Sequence, residues 1–442
     1  MGNLRGGTTI RRGTHAVAAA ALGALGLVAC ADTGGGEAAG GDGAPSSTGS
    51  GAVGSGPTDD GSPTDPTGTD RSSDPQATGS PSASSARSAS TGTRSSESPT
   101  SSSPGSSSTA PTPADPSQPV MPADRPDDPD AGPVTLSVVG DLKLAHRAAE
   151  DLRAGDPQAP FRRVADELFA ADLTLGNLET ALGEGGTPEP KRYTFMAPPA
   201  FAAELQEAGF DHMALANNHV YDFGAAGIRS TLEALEEAGL PFSGAGEDLA
   251  SAREPAVLEA NGRRIAVINT LDVAADNAKI PYDNSQWAAT DDRPGVFWAV
   301  PEQVAAEVER ARAEADDVVV LLHAGVENTR PAGKVQQRVA EAALDAGATA
   351  VIGHHAHVLQ GHREHPDTGQ LTAWGLGNFV FDGYPAGAEQ NDSAILHLTI
   401  DDQGVTEHSW TPVVLDGGYP QALAEDSAEG RRVLQLIESL AE

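Results

Sequence analysis

The chain has 442 residues and a net charge of −35. This acidity argues against nucleic acid as a partner, because phosphate binding requires clustered lysine and arginine. The single cysteine, Cys30, excludes an internal disulfide and a structural zinc site built from thiolates.

Residues 1–29 have the features of a bacterial lipoprotein signal peptide. Three arginines come first, an apolar run follows at residues 16–29, and Leu-Val-Ala directly precedes Cys30. The apolar run is too short for a stable membrane span. The segment from Leu27 to Cys30 resembles a lipobox. It predicts lipidation of Cys30 and an extracytoplasmic protein anchored to the cell membrane. An ordinary secretory peptide is the alternative, and the export route, Sec or twin-arginine, stays open.

Residues 30–132 are mostly Ser, Thr, Pro, Gly, Ala and Asp, with no aromatic side chain. Such a segment buries too little apolar surface to offset its ordering entropy, so it predicts a long disordered tether. Residues 133–442 are long enough to form one large folded domain. The chain is therefore divided into a signal peptide, a tether and a domain.

From residue 134 onward, strand-like and helix-like segments alternate, which predicts an α/β (α+β) domain. Apolar and β-branched runs predict strands at residues 134–139, 173–175, 212–216, 264–271, 318–322, 349–352, 373–376, 395–400 and 408–415. Amphipathic segments predict helices at residues 161–170, 200–208, 224–238, 301–315, 331–346 and 431–440.

Polar side chains of the metal-ligand type follow five of these strands. They are Asp141, Glu179, Asn218 with His219, His323, and His355 with His357. Ligand sites in layered α/β folds gather where strand ends meet, so these side chains are expected to converge. Their mixture of nitrogen and oxygen atoms suits Zn²⁺, Mn²⁺ or Fe rather than Ca²⁺. A polar loop with satisfied histidines is the alternative for the segment around His355.

Six motifs occur in a fixed order along the folded region. They are Gly140-Asp141, Asn177-Leu178-Glu179, Asn217-Asn218-His219-x-x-Asp222, His323-x-Gly325-x-Glu327, Gly353-His354-His355-x-His357-Val358 and Gly377-Asn378-Phe379-x-Phe381-Asp382. Together they resemble the CapA family of capsule and poly-γ-glutamate biosynthesis proteins, which is related to the calcineurin-like metallophosphoesterases. The resemblance implies a metallophosphatase-like α-β-β-α sandwich of four layers, with metals at the strand ends.

The resemblance also implies two metal positions that share one carboxylate. The first position takes Glu179, Asn218, His323 and His355. The second takes Asp141, Glu179 and His357, but Lys143 stands where the superfamily has a fourth ligand, a histidine. A protonated ammonium cannot ligate a metal and opposes a second cation nearby. We therefore predict one complete metal site and a weak or empty second one, with Lys143 as an electrostatic substitute.

His219 matches the superfamily's catalytic histidine, which protonates the leaving group. Further motif residues are expected to line the same pocket: Asn217, Asp222, Glu327, His354 and Asn378. Among these, Asp222 is expected to cap the helix beginning near residue 224, and Glu327 to brace its loop. His362 and His365 are expected to be exposed loop residues.

The resemblance implies a role in making a capsule or poly-γ-glutamate-type envelope polymer. One reading is a metal-dependent hydrolase with His219 as the general acid. The other is a non-catalytic accessory or binding subunit of a membrane polymer synthase. The expected partners are the cell membrane, through the lipid anchor, and either the envelope polymer or polymer-synthase membrane proteins.

Overall fold

The computed structural model describes residues 131–275 and 280–442. The predicted signal peptide, the predicted lipidation site Cys30 and nearly all of the predicted tether lie outside the described residues. Within them, no helix has both the length and the apolar character that crossing a membrane requires.

Strands form the framework of the described part of the chain. In chain order they are β1 (Val134–Leu142), β2 (Leu173–Leu178), β3 (Ala181–Leu182), β4 (Met196–Ala197), β5 (His212–Ala214), β6 (Phe242–Ser243), β7 (Ala245–Gly246), β8 (Ala256–Ala260), β9 (Arg263–Asp272), β10 (Gly295–Val296), β11 (Asp317–Ala324), β12 (Ala350–His354), β13 (His362–His365), β14 (Gln370–Ala373), β15 (Asn378–Val380), β16 (Asp392–Asp401), β17 (Gly404–Asp416) and β18 (Tyr419–Ala422).

Helices cover the outside of this framework. In chain order they are α1 (Arg147–Arg153), α2 (Ala165–Leu168), α3 (Phe201–Glu207), α4 (Gly224–Ala238), α5 (Leu249–Ala252), α6 (Pro301–Ala311), α7 (Lys334–Asp345) and α8 (Ala428–Leu440). Helix α4 ends at Gly239, whose φ of 72° is the left-handed conformation that commonly terminates helices. Helix α6 begins with Pro301, which lacks the N–H that would have no partner there.

The strands form two main sheets. The larger has the order β18-β17-β16-β1-β2-β5-β6, with β15 also paired to β1, and the smaller has the order β13-β14-β12-β11-β9-β8. The strands that carry the motif residues run parallel, namely β1, β2 and β5 in the larger sheet and β11 and β12 in the smaller. Parallel strands end at the same edge of a sheet, so the polar residues at their carboxyl ends are brought together.

Alternation along β11 places one motif residue between the sheets. Val318 and Val320 pack with the apolar faces of α6 and α7. Val319 and Leu321 belong instead to the cluster formed by side chains of both sheets. Because successive side chains of a strand point to opposite faces, His323 continues the inward-facing row of Val319 and Leu321.

The apolar side chains form layers that confirm the predicted α-β-β-α architecture. One cluster joins the larger sheet to α1, α3 and α4. A second lies between the two sheets, and a third joins the smaller sheet to α6 and α7. A fully buried Leu, Ile or Phe side chain contributes roughly 1.5–3 kcal/mol. Burial of these layers therefore fixes where the strand ends lie.

Three local predictions were wrong. The predicted helix at residues 161–170 is a series of turns followed by the short α2. The predicted strand at residues 373–376 is displaced toward the N-terminus, because β14 covers Gln370–Ala373 and shares only Ala373 with the prediction. His362 and His365 form the ends of β13 rather than an exposed loop, and His362 is buried.

Gly353 lies where β12 passes against the backbone of Trp374. A Cβ atom at this position would be 2.0 Å from the Trp374 carbonyl oxygen, a distance that only a backbone shift can relieve. We expect Gly353→Ala to lower the free energy of unfolding by about 3 kcal/mol or more, measured by urea denaturation. Gly132→Ala, whose Cβ would meet its nearest neighbour at 3.8 Å, is the matched control. Equal stability of the two variants would contradict the close contact between Gly353 and the Trp374 backbone.

Candidate metal centre

The carboxyl ends of five strands from both sheets meet at one buried place. Asp141 lies near the end of β1, Glu179 directly follows β2, and His323 lies near the end of β11. The loops after β5 and β12 supply the remaining predicted ligands, Asn218, His355 and His357. All six predicted ligands are buried. The structure thus brings together the residues that the sequence analysis selected.

Glu179 occupies the middle of this cluster. Its carboxylate is fully buried, and neither oxygen has a hydrogen-bond partner among the described residues. Its Oε1 atom lies 3.6 Å from His323 Nε2, 3.9 Å from His357 Nε2 and 4.0 Å from His219 Nε2. A buried carboxylate without hydrogen bonds is costly unless a cation neutralises it. The residues present therefore fit a metal ion at Glu179.

The first predicted ligand set has the spacing of atoms that share one ion. His323 Nε2 lies 2.9 Å from Asn218 Oδ1 and 3.2 Å from His355 Nδ1. Two ligand atoms with bonds of about 2.1 Å to one ion lie roughly 3.0–3.4 Å apart. Glu179, His323 and His355 together offer three atoms within 4.8 Å of one another.

The second predicted ligand set is also assembled. His357 Nδ1 lies 3.3 Å from Asp141 Oδ2, and its Nε2 faces Glu179 at 3.9 Å. Asp141, Glu179 and His357 likewise offer three atoms within 4.8 Å. The Asn378 amide oxygen lies 2.8 Å from His357 Nδ1, and the Asn177 amide donates to Asp141 at 2.8 Å. These amides hold the orientation of both side chains.

The two sets differ in their electrostatics. Burial and the neighbouring histidines lower the pKa of His323 well below its usual value, so its ring is neutral and able to ligate. Burial alone would lower the pKa of His357, but the carboxylates of Glu179 and Asp141 raise it to about 10. A cation in the second set must therefore displace the extra proton of His357, whereas His323 in the first set is already neutral. Burial also raises the pKa of Glu179.

Lys143 lies beside the second set but is engaged elsewhere. Its Nζ atom is 2.5 Å from Asp382 Oδ1, and it packs over the rings of Phe381 and Phe195 at 4.6 and 5.1 Å. The side chain is 4% exposed, so this ammonium is balanced by Asp382 rather than by solvent. The sequence analysis identified Lys143 as a departure from the superfamily's ligand pattern, but it did not predict the pairing with Asp382.

His219 is held by the carboxylate of Asp222, which the sequence analysis expected to cap helix α4. Its Nδ1 lies 2.7 Å from Asp222 Oδ2, while its Nε2 points toward Glu179. Asp222 also accepts the backbone N–H of Phe195 and pairs with Lys191. The expectation that Asp222 caps α4 is wrong, because the residue at that cap is Phe223 and no side chain bonds there.

Lys191 is a site residue that sequence reasoning missed. It contacts Asp222 and the Asn218 carbonyl, and it lies 5.1 Å from the centroid of the Trp287 ring. It comes from the long segment after β3 and follows no predicted strand, so the strand-end criterion could not find it. Phe195, from the same segment, stacks on the His219 ring with a centroid distance of 4.1 Å.

The other predicted pocket residues stabilise the loops and strands around the centre or act on its charges. Asn217 donates to the Leu178 carbonyl at 2.8 Å and accepts the backbone N–H groups of His219 and Val220, so it fixes the loop after β5. His354 Nε2 contacts the Val139 carbonyl at 3.0 Å across the two sheets. Glu327 is half-buried, and its negative charge helps raise the pKa values of Glu179 and His357.

The loop after β12 has an unusual backbone. His355 and His357 have φ angles of 88° and 56°, in the left-handed region that residues other than glycine rarely adopt. Each such residue costs of order 1–3 kcal/mol and persists only where its surroundings impose it. The conformation turns both imidazoles toward Glu179, so the strain has a geometric consequence.

The chain is similar to proteins of capsule and polyglutamate biosynthesis. Capsule biosynthesis protein CapA of Bacillus anthracis is 29% identical over 311 residues, which are 69% of this chain and 72% of that protein. PGA biosynthesis protein CapA of Bacillus subtilis (strain 168) is 27% identical over 305 residues, 68% of this chain and 77% of that protein. A probable polyglutamine synthesis accessory protein of Mycobacterium tuberculosis is 31% identical over 252 residues, 53% and 63% of the two chains.

Among solved structures, a hypothetical protein from Thermus thermophilus has a TM-score of 0.37 at 18% identity, over 65% of this chain and 96% of that one. The sulfate thiohydrolase SoxB from the same species has a TM-score of 0.32 at 14% identity, over 72% and 61%. Residues 135–383 match the family described as "Bacterial capsule synthesis protein PGA_cap". Because this match spans more than half of the 442 residues, the chain belongs to that family.

Proposed function

We propose that this protein acts in the biosynthesis of a capsule or poly-γ-glutamate-type envelope polymer, as a metal-dependent hydrolase. Family membership supports the biosynthetic role. One observation carries the metal site: the buried Glu179 carboxylate makes no hydrogen bond within the described part of the chain and has three imidazole nitrogens within 4.0 Å. Loading the protein with Mn²⁺ or Zn²⁺ and measuring the bound metal tests this proposal.

The proposed ligands of the first position are Glu179, Asn218, His323 and His355. Asp141 and His357 would complete a second, weaker position that shares Glu179. The mixture of imidazole, carboxylate and amide suits Mn²⁺, Zn²⁺ or Fe²⁺. When bound, the ion would polarise an acyl or phosphoryl oxygen and lower the pKa of water.

His219 is the proposed proton-transfer group. Burial lowers its pKa to about 4, although the Asp222 carboxylate partly opposes this shift. A neutral ring that donates its Nδ1 hydrogen to Asp222 presents the lone pair of Nε2 to the centre. That nitrogen accepts a proton from the attacking water and then returns it to the leaving group. Lys191 pairs with Asp222 and holds that carboxylate in place.

The second candidate function is a non-catalytic subunit of a membrane polymer synthase. The presence of Lys143 where a fourth ligand is expected favours it, because the second set then offers only Asp141, Glu179 and His357 and holds a second metal weakly. The net charge of −35 works against passive binding of a polyanionic chain, so synthase membrane proteins are the proposed partners of such a subunit. Polymer yield from a His219 variant separates the two functions.

Lipidation of Cys30 is part of the proposal, because the Leu-Val-Ala-Cys segment would place the protein on the outer side of the cell membrane. We expect the wild-type protein to incorporate labelled palmitate in cells and Cys30→Ser to incorporate none, as the chain has no other cysteine. Ser46→Ala, within the predicted tether, is the control and should be labelled as the wild type is. Equal labelling of the Cys30 variant would exclude this anchor.

A further inference from the structure

Two histidines and a glutamate form a cluster outside the centre described above. His362 and Glu364 lie two residues apart on β13, so they share one face of that strand. His408 lies on β17, and its Nε2 is 3.8 Å from Glu364 Oε1. The His362 and His408 rings are 5.4 Å apart between centroids. The three side chains offer one ligand atom each within 4.8 Å.

His362 is the member of this cluster whose environment needs explanation. It is only 7% exposed, and its Nδ1 has no hydrogen-bond partner among the residues that the structure describes. The Trp410 ring packs beside it at 5.4 Å, and the Glu442 backbone N–H bonds its carbonyl at 2.9 Å. A buried ring nitrogen without a partner costs free energy unless a ligand satisfies it.

We propose that His362, Glu364 and His408 form a separate divalent-cation site, independent of both positions around Glu179. Zinc is the ion that its ligands suit best. Two imidazoles and one carboxylate are a common ligand set for zinc, whereas Ca²⁺ and Mg²⁺ prefer oxygen alone. Two atoms bound to one zinc ion lie at most roughly 4 Å apart. The His408–Glu364 distance already meets this limit, and the 63% exposed Glu364 side chain has room to rotate the carboxylate further inward.

The position of this site in the fold gives it a structural role. Strand β13 is the edge of the smaller sheet, and β17 belongs to the larger sheet. Glu442, beyond α8, is bonded to β13. A zinc ion held by His362 and His408 therefore connects the two sheets through residues that lie outside both ligand sets around Glu179. Zinc binding here stabilises the folded domain without any part in the chemistry of the first centre.

The test uses the full chain and zinc alone, with His408→Gln and Glu364→Gln as the variants. Both substituted side chains are partly exposed, at 20% and 63%, so both variants should fold. We expect His408→Gln to bind about one equivalent of zinc less than the wild type in equilibrium dialysis. Glu364→Gln should bind at this site about 10-fold or more weakly. Zinc should also raise the Tm of the wild type by more than that of His408→Gln.

The matched control is His397→Gln, a histidine on β16 whose two ring nitrogens contact Ser137 and Thr411. It should retain the wild-type zinc content. Identical zinc stoichiometry and identical zinc-dependent Tm shifts in the wild type, His408→Gln and Glu364→Gln would overturn the proposal. The result is independent of the first centre, because any zinc bound near Glu179 is common to all of these proteins.

Discussion

A His323→Ala variant will bind metal at the centre around Glu179 about 100-fold more weakly than the wild type, or not at all. His323 contacts Asn218 and His355 at ligand spacing and faces Glu179, so its removal breaks the set at its middle. The remaining carboxylate, amide and imidazole leave the first position one ligand short of the tetrahedral set that zinc prefers. The measurement is the manganese or zinc content of the purified protein after loading and dialysis.

The control for this experiment is His365→Ala. His365 is a half-buried histidine on β13 whose ring contacts Thr372 at 3.3 Å, and it has no part in either ligand set. It should keep the wild-type metal content at the first centre. Metal-free wild-type protein after loading, or unchanged metal in His323→Ala, would refute the centre. Circular dichroism of each variant separates loss of a ligand from loss of the fold.

A His219→Ala variant will reduce polymer production in cells by roughly 10²-fold or more if the protein is a hydrolase. The ring presents Nε2 toward Glu179 and is fixed by Asp222 at 2.7 Å and by the stacked Phe195. His323 and His355 cannot replace it in proton transfer, because both are assigned as metal ligands. The measurement is the yield of envelope polymer from cells that express the variant at wild-type level.

This experiment also distinguishes the two candidate functions. Wild-type polymer yield from His219→Ala would show that proton transfer is dispensable and would favour the accessory function. The metal content of the variant serves as the internal control, because His219 belongs to neither ligand set and its loss should leave metal binding near the wild-type level. A variant without metal would instead show that His219 acts as a ligand.

The sequence predicted which strand-end residues converge better than it predicted their surroundings, for a physical reason. Asp141, Glu179 and His323 lie at the ends of buried strands, and the carboxyl ends of parallel strands converge whatever the loops do. That these residues lie close together could therefore be predicted from the order of strands and polar residues. The contacts of Asp222 were not, because a carboxylate just before a helix is typical of a cap, and only tertiary packing shows that it faces His219.

Residues contributed by long irregular segments were the hardest to predict. Lys191 and Phe195 reach the centre from the connection between β3 and β4, whose sequence has no periodic pattern. His362 was misjudged because a four-residue strand rich in histidine and charge resembles a loop in composition. Burial of His362 depends on Trp410 of β17 and on Glu442 after α8, which lie far away along the chain.

The left-handed backbone of His355 and His357 has a consequence for engineering this domain. Glycine at either position would relieve the torsional strain, and a stability-guided redesign would favour it. Such a substitution would remove an imidazole from the centre, so a more heat-resistant protein would have lost a metal ligand. These two positions should be held fixed in any thermostabilised version.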